Sequence, residues 1–149
     1  MKDFKISPHF SFYECTKTDL LHLLDDNRGQ GFCFLDSISD LVSFLAEPIR
    51  NHFNNPLIVH SLFRNAEINK KIGGSKSSQH LKGEAIDFHV DRIDNIDVFI
   101  WIVKDSGLQF GQLILEPSWI HISQGYPLRE RDRCGEVGIW TPNGVKLVL

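Results

Sequence analysis

The sequence predicts a single α+β domain, with an antiparallel sheet and helices packed mainly on one side of it. Segments with helical spacing of apolar residues are gathered in the first half of the chain, whereas alternating, strand-like segments dominate its end. A chain of 149 residues suits one hydrophobic core, so the expected domain spans residues 1–149. Its 42% hydrophobic and 23% charged residues are typical of a soluble globular protein.

Charge, cysteine spacing and hydropathy argue against several classes of protein. A formal net charge of -3 provides no electrostatic attraction to nucleic acid or to an anionic membrane. Cys15, Cys33 and Cys134 form no CxxC pair, which favours reduced thiols in a protein made in the cytoplasm over a disulfide framework. No stretch approaches the roughly 20 apolar residues of a membrane span. The N-terminus also lacks the apolar run of a secretory signal.

Two helices are predicted in the first third of the chain. The first begins near Thr18, a candidate N-cap followed by leucines at helical spacing. The second begins near Asp36 and carries one apolar stripe, formed by Ile38, Leu41, Val42 and Leu45. Because proline lacks an N–H and clashes with the preceding turn, Pro48 is expected to kink this second helix or divide it.

The later elements are predicted from capping and turn residues. Asn65 is the expected N-cap of a short helix that ends at the glycines 73–74, and Gly107 is expected to end a helix that starts near residue 95. Strands are predicted at 56–62, 84–90, 111–116 and 118–124. A terminal hairpin is predicted around Asn143-Gly144. The segment 127–134, with alternating arginines and acidic residues, is predicted to be a solvated loop.

Alternation along two strands predicts a polar face opposite the core. On the strand after Gly83, Asp87 and His89 share one face, and the opposite face is apolar, with Ile86, Phe88 and Val90. On the strand at 118–124, His121 shares its face with Trp119. Because the apolar faces supply the core, the other faces are free to carry functional side chains.

The connection between the last two of these strands predicts a glutamate near a histidine. If residues 117–118 form a tight turn, Glu116 faces Trp119 and Ile114 faces His121, although Pro-Ser is not a favoured hairpin turn. Glu116 and His121 then lie diagonally on one face, roughly 7–8 Å apart at the backbone. That separation lets the carboxylate reach a water bound to a metal that His121 holds.

A second histidine lies close enough in sequence to join such a site. His80 precedes Asp87 by seven residues across a turn eased by Gly83, so it can fold back onto that strand. With His121 these residues offer two imidazoles and a carboxylate, a donor set that suits tetrahedral zinc with one open position. Catalytic zinc needs that position, because water is acidified there. Spacing alone leaves another interpretation open, in which the histidines are hydrogen-bonded surface groups.

Two longer segments carry a family resemblance: SLFRNAEINKKIGGSKSSQHLKGEAIDF at 61–88 and QLILEPSWIHIS at 112–123. Their S-x-H-x(6)-D element and the later W-I-H resemble the zinc D-alanyl-D-alanine carboxypeptidase family, peptidase family M15, in its short phage- and prophage-associated branch. The likeness runs from about Phe10 to Arg133 and includes the segment FSFYECTKT. It implies the hedgehog/DD-peptidase fold.

Carried over position by position, the resemblance implies a zinc ion bound by His80, Asp87 and His121. It also implies Glu116 as the general base and acid, Arg64 as the residue that binds the substrate carboxylate, and Ser78 as a polar contact near the ligand. The implied activity is hydrolysis of peptidoglycan peptides, as a D-Ala-D-Ala carboxypeptidase or a stem-peptide endopeptidase. We expect a monomer that acts at the cell wall if it is phage- or prophage-derived.

The chain departs from the family pattern in two places. Leu62-Phe63 replace the usual Gly-Tyr before the arginine, which changes the expected substrate pocket. Glu116 precedes His121 by five residues, a longer gap than in some branches. His89 matches no family ligand and is interpreted as a residue outside the ligand set, with a fourth ligand as the alternative. No role is assigned to His9, His22, His52 and His60.

Two other functions stay open at the level of sequence. A non-catalytic zinc-containing binding module would keep the fold without turnover, as in the signalling domain of hedgehog proteins, which resembles this family. A phage tail or baseplate component could use the domain for attachment. Retention of Glu116 together with three ligands favours the enzyme, because a structural zinc is usually closed by a fourth protein ligand.

Overall fold

The computed structural model describes residues 1–125 and 135–149, and the strands in this part of the chain form one sheet. They are β1 Leu57–Ser61, β2 Ala85–Val90, β3 Gln112–Leu115, β4 Ile120–Ser123, β5 Glu136–Thr141 and β6 Gly144–Leu147. Their order across the sheet is β1-β2-β4-β3-β5-β6. The α-helices are α1 Phe12–Cys15, α2 Leu24–Phe32, α3 Leu35–Leu41, α4 Glu47–Phe53, α5 Ala66–Lys71 and α6 Asn95–Lys104. The predicted α+β class and the single domain are confirmed.

The sheet is mixed, so the prediction of a wholly antiparallel sheet is wrong for one strand pair. β5 pairs with β3 in parallel, with Gln112 opposite Glu136 and Leu115 opposite Ile139. The two edges of β4 are already occupied, by β2 on one side and β3 on the other. β5 therefore joins the free edge of β3, where it runs parallel to that strand. All other neighbouring strands are antiparallel.

The core lies on one face of the sheet. The predicted apolar face of β2 is fully buried there, and it packs in one cluster with residues from β4 and β3 and from α3, α4 and α6. The predicted apolar stripe of the second helix belongs to the same cluster, with Ile38, Leu41, Val42 and Leu45 no more than 1% exposed. The helices thereby cover this face and leave the opposite face of the central strands available for polar side chains.

The first predicted helix begins later than expected, and Thr18 is not its N-cap. A 3-10 turn at Leu21–Leu23 precedes α2, and neither start carries a side-chain cap. The Thr18 hydroxyl accepts a hydrogen bond from the amide of Leu20 instead, 3.2 Å away, which makes a local turn. This outcome follows from the ability of threonine to bond its own neighbouring backbone in non-helical conformations.

Pro48 is predicted to kink or divide the second helix, and the structure shows a change of helical winding just before it instead. Between α3 and α4, residues Val42–Ala46 are wound as a π-helix, and Pro48 occupies the first turn of α4. The wider π turn relieves the loss of an N–H and the clash with the preceding carbonyl, so the helix is not broken. The Asn65 cap of α5 is as predicted. The terminal hairpin is also present, but its turn is Pro142-Asn143 rather than Asn143-Gly144, because Gly144 already pairs with Thr141. Cys134 and the loop predicted at 127–134 lie outside the described residues.

A buried carboxylate attaches the N-terminal segment to α4. The Glu47 side chain accepts hydrogen bonds from the Ser7 hydroxyl at 2.6 Å, from the His9 amide at 3.0 Å and from the His9 ring at 2.8 Å. Burial by itself would raise the pKa of Glu47, but these hydrogen bonds together lower it below its ordinary value. The charged form is therefore the one that stabilises the fold.

We expect Glu47→Gln to lower the free energy of unfolding by about 1–3 kcal/mol near neutral pH, because the amide cannot accept all three hydrogen bonds. Since the folded pKa is depressed, the stabilisation is present above the ordinary glutamate pKa and is lost as the pH falls through the folded value. Urea unfolding at neutral and at acidic pH measures this difference. Glu67→Gln, at an exposed position of α5, is the control and should change little. Equal losses at both pH values would contradict the charged contact.

Candidate metal centre

The pairing of β2 with its neighbours brings an aspartate and a histidine side by side. Asp87 lies directly opposite His121 in the antiparallel ladder, and His121 lies opposite Ile114 on β3. The amide of Glu116 donates to the carbonyl oxygen of Trp119 at 3.0 Å. The predicted register of the 117–118 connection is therefore confirmed.

His80 reaches the same place from a short turn rather than from a strand. It belongs to the 3-10 turn Gln79–Lys82, which ends at Gly83 in a left-handed conformation with φ of 68°. A Cβ atom at Gly83 would approach the Ile38 side chain to 2.6 Å, so a larger residue there would disturb both the turn and the core. This sharp change of direction leads directly into β2 and returns His80 to the level of Asp87.

Three side chains form a compact donor cluster: His80, Asp87 and His121. One ligand atom from each lies within 4.8 Å of the others. The His80 Nε2 to Asp87 Oδ2 distance is 3.3 Å, and the His121 Nδ1 to Asp87 Oδ1 distance is 2.8 Å. Donors about 2.1 Å from a tetrahedral zinc are separated by about 3.4 Å, so the first distance already suits such an ion. In the described part of the chain, this is the one cluster of at least three such donors.

The backbone selects which nitrogen of His80 is free to bind a metal. Its Nδ1 donates a hydrogen bond to the carbonyl oxygen of Leu62 at 2.7 Å, in a buried position. The lone pair of the imidazole is then on Nε2, the nitrogen that faces Asp87. In metal-binding histidines, a hydrogen bond from the nitrogen that does not bind the metal orients the ring and raises the basicity of the other nitrogen. The donor set and its orientation therefore fit a zinc ion.

The electrostatics of the cluster keep both residue types in the form that binds a metal. Burial lowers the pKa of His80, against the opposing effect of Asp87, and so favours the neutral imidazole. Burial would raise the pKa of Asp87, but His80 and the hydrogen bond from His121 hold it far below its usual range. A neutral imidazole and an ionised carboxylate are the protonation states that metal ligands require.

The surroundings of Glu116 raise the pKa of its carboxyl group above the ordinary value. It follows the last residue of β3, and its side chain is partly buried. Burial raises the pKa of Glu116, and the negative charge of Asp87 raises it further, while His121 acts in the opposite direction. A carboxylate whose pKa is raised towards neutrality is better suited to take up and return a proton near pH 7.

Arg64 and Ser78 are neighbours on the side of the cluster where β1 ends. The Arg64 amide donates to the carbonyl oxygen of His80 at 3.1 Å, and its guanidinium Nη2 donates to the Ser78 hydroxyl at 3.4 Å. Burial lowers the pKa of Arg64 and Asp87 opposes this effect. The buried Nε of Arg64 has no hydrogen-bond partner among the described residues. The guanidinium thus keeps unused donor capacity beside the cluster.

A buried asparagine, which the sequence did not single out, holds the backbone on both sides of Arg64. Asn27 is fully buried; its carboxamide donates to the carbonyl oxygen of Phe63 at 3.2 Å and accepts from the amide of Asn65 at 2.8 Å. It also donates to the carbonyl oxygen of Thr16 at 2.9 Å. One amide side chain can both donate and accept, which explains why this residue type suits the position.

The two residues that depart from the family pattern face the core. Leu62 and Phe63 are each 1% exposed, and the Phe63 ring stacks on Phe34 with 5.3 Å between ring centroids. Their apolar side chains therefore stabilise the segment that carries Arg64. Leu62 contacts the site through its backbone carbonyl oxygen, which accepts the hydrogen bond from His80 Nδ1, and not through its side chain.

The histidines without an assigned role all have partners. The His9 ring contacts Glu47, and the His22 ring contacts Lys71. The His52 ring stacks on Trp101. His60 Nε2 lies 2.7 Å from His89 Nδ1, and both lie outside the donor cluster. Burial and the neighbouring His89 lower the pKa of His60. The sequence could have indicated this pair, because one histidine lies on each of the strands β1 and β2, which are neighbours in the sheet.

An α+β domain with two imidazoles, a carboxylate and a nearby glutamate has the donor set of a metal-dependent hydrolase. Residues 18–123 match the family model described as Peptidase M15, and these residues are more than half of the chain. The chain therefore belongs to the peptidase M15 family. Membership implies a hydrolase that acts on peptides, in a family that is typically zinc-dependent.

Two further findings are negative. No curated protein sequence matches this chain. Among residues 1–125 and 135–149, no helix combines the length and the apolar character that crossing a membrane requires.

Proposed function

We propose that this chain is a zinc-dependent peptidase that hydrolyses peptide bonds of peptidoglycan. The observation that carries the proposal is the cluster of His80, Asp87 and His121, with Glu116 and Arg64 both close enough to be influenced by the charge of Asp87. Zinc held by these three residues would act as a Lewis acid towards the scissile carbonyl and lower the pKa of water. Three protein ligands leave one position open, as catalysis requires.

Glu116 is the proposed general base and acid. Its carboxylate takes a proton from the attacking water, and the resulting carboxylic acid returns one to the leaving amine. The raised pKa that burial and Asp87 impose on Glu116 reduces the energetic difference between these two states at neutral pH. Glu116 is close enough to Asp87 and His121 to be influenced by both charges, which supports its position at the reacting bond.

Arg64 and Ser78 are the proposed binding site for the terminal carboxylate of the substrate. A guanidinium offers paired donors that match the two oxygens of a carboxylate, and the buried Nε of Arg64 has no hydrogen-bond partner among the described residues. The Ser78 hydroxyl, which contacts Arg64 at 3.4 Å, supplies a second polar group. A carboxylate held next to the metal cluster favours cleavage of the last peptide bond, and so a carboxypeptidase over an endopeptidase.

The first test combines metal analysis with a panel of peptides. We expect about one zinc per chain in protein purified without chelator, and hydrolysis of peptides that end in D-Ala-D-Ala. Cleavage within longer stem peptides would favour the endopeptidase. Zinc without any hydrolysis on the panel would favour a non-catalytic binding or phage-structural module. Protein that binds no zinc would contradict the proposal.

We expect Arg64→Lys to lower kcat/KM for a free-carboxylate substrate by about tenfold to a hundredfold, because a charged bidentate contact is lost. A substrate with an amidated C-terminus should be affected much less. Arg92→Lys is the matched control, since the Arg92 side chain is exposed and forms an ion pair with Asp91, away from the donor cluster. A change within about twofold on the free-carboxylate substrate would contradict the role of Arg64.

The biological setting is also part of the proposal. Peptidoglycan peptides are substrates at the cell wall, and the family resemblance favours a phage or prophage origin. A monomer is expected, because a single chain supplies all the residues of the proposed site.

A further inference from the structure

A row of three aromatic side chains crosses the sheet beside the donor cluster. Phe88 lies opposite Ile120 in the β2–β4 ladder, so the next residues outward, His89 and Trp119, are neighbours. His60 lies on the other side of His89, with 4.9 Å between their ring centroids and 6.1 Å between the centroids of His60 and Trp119. We call His60, His89 and Trp119 the aromatic row. None of the three is buried.

An irregularity in β1 gives His60 its place in this row. The register shifts between Val59, which lies opposite Phe88, and Ser61, which lies opposite Asp87. His60 is therefore an extra residue between two regular pairs, and such bulges redirect side chains next to functional sites. The result is the 2.7 Å contact between His60 Nε2 and His89 Nδ1.

The histidine pair presents complementary hydrogen-bonding groups. When both rings are neutral, one of the two contacting nitrogens donates and the other accepts. The remaining nitrogens, Nδ1 of His60 and Nε2 of His89, are then one acceptor and one donor, whichever tautomers are present. Neither nitrogen has a further partner among the described residues. One donor and one acceptor are the groups that a peptide unit, with its own C=O and N–H, can pair with.

The aromatic row and Arg64 lie on opposite sides of the donor cluster. β1 runs from the level of Val90 to the level of Asp87, and the chain then continues past Leu62 to Arg64, which contacts His80. His89 lies two residues from Asp87 in the other direction along β2, about 7 Å away. An extended peptide whose terminal carboxylate meets Arg64 therefore continues, on the amino side of its scissile bond, over the row.

We propose that the aromatic row binds the part of the peptide substrate on the amino side of the scissile bond. This inference rests on the proposed function and deepens it. The histidine pair would bond the peptide unit two residues from the scissile bond, and the Trp119 ring would supply apolar contact area. The protein should therefore prefer substrates that extend beyond a dipeptide.

The test compares acetyl-D-Ala-D-Ala with diacetyl-L-Lys-D-Ala-D-Ala, which has one more residue on the amino side. His60→Ala and His89→Ala should each lower kcat/KM for the longer peptide by about fivefold to tenfold, mainly through KM, and leave the shorter one within about twofold. Zinc content should not change. His60→Asn, which keeps a donor and an acceptor, should recover part of the loss, and exposed His22→Ala is the control. Equal losses on both peptides, or no loss on either, would overturn the proposal.

A binding measurement separates this proposal from the proposed activity. Zinc-loaded Glu116→Gln protein is titrated with the longer peptide by calorimetry, with and without His60→Ala. Binding weakened about fivefold by His60→Ala supports the row even if the parental protein hydrolyses no peptide, in which case the proposed activity fails alone. If both peptides are hydrolysed but His60→Ala leaves binding unchanged, the proposed activity stands and the proposed role of the aromatic row is overturned. Absence of binding in both proteins also overturns it.

Discussion

Glu116→Gln is expected to lower peptide turnover by about 10²–10⁴-fold, the usual contribution of a positioned general base. Glutamine keeps the shape of the side chain and its ability to hydrogen-bond, but it cannot take up a proton. Zinc should stay bound, because the three residues of the donor cluster are unchanged. The measurement pairs steady-state kinetics on a D-Ala-D-Ala peptide with metal analysis of the same preparation.

Glu136→Gln is the matched control for this variant. Glu136 is a carboxylate of the same sheet, on β5, and it accepts a hydrogen bond from the Gln112 side chain at 2.9 Å. Its replacement should leave turnover within about twofold, because it takes no part in the proposed proton transfer. Parental turnover in Glu116→Gln would show that Glu116 is only a solvated carboxylate at the end of β3. Loss of zinc in the same variant would instead identify it as a ligand.

His121→Ala is expected to remove the metal and the activity together. Two remaining donors, His80 and Asp87, cannot hold zinc with the three-ligand geometry of catalytic sites. The parental protein should be stabilised by added zinc, by about 2.7 kcal/mol when free zinc is a hundredfold above its dissociation constant, and the variant should show almost none of this effect. Zinc-dependent thermal unfolding measures this without any substrate.

The exposed His22 provides the control for loss of an imidazole elsewhere. His22 contacts the Lys71 side chain on the surface, and His22→Ala should keep both zinc binding and zinc-dependent stabilisation. If His121→Ala still bound one zinc with parental affinity, the donor cluster would not be the metal site. Retention of zinc with loss of activity would place His121 in catalysis rather than in coordination.

Local patterns predicted the faces of the strands correctly because those faces depend on a two-residue period. Alternation placed Asp87 and His121 on polar faces, and the ladder indeed sets them opposite each other. The register of Glu116 against Trp119 was also predicted, since a connection of two residues leaves few alternatives. The pairing of β5 with β3 could not be read in the same way, because it depends on which sheet edges the other strands leave free.

The sequence by itself determined most of the elements and the polar faces, and its motifs predicted the residues of the candidate site. Only the tertiary structure decided how those residues are oriented. The carbonyl of Leu62, which selects the nitrogen of His80, is 18 positions away, and Asn27 reaches the Phe63 carbonyl across 36 positions. Every residue carries the same backbone carbonyl, so no sequence pattern marks the one that meets a histidine. Packing of distant segments around a common core makes that choice.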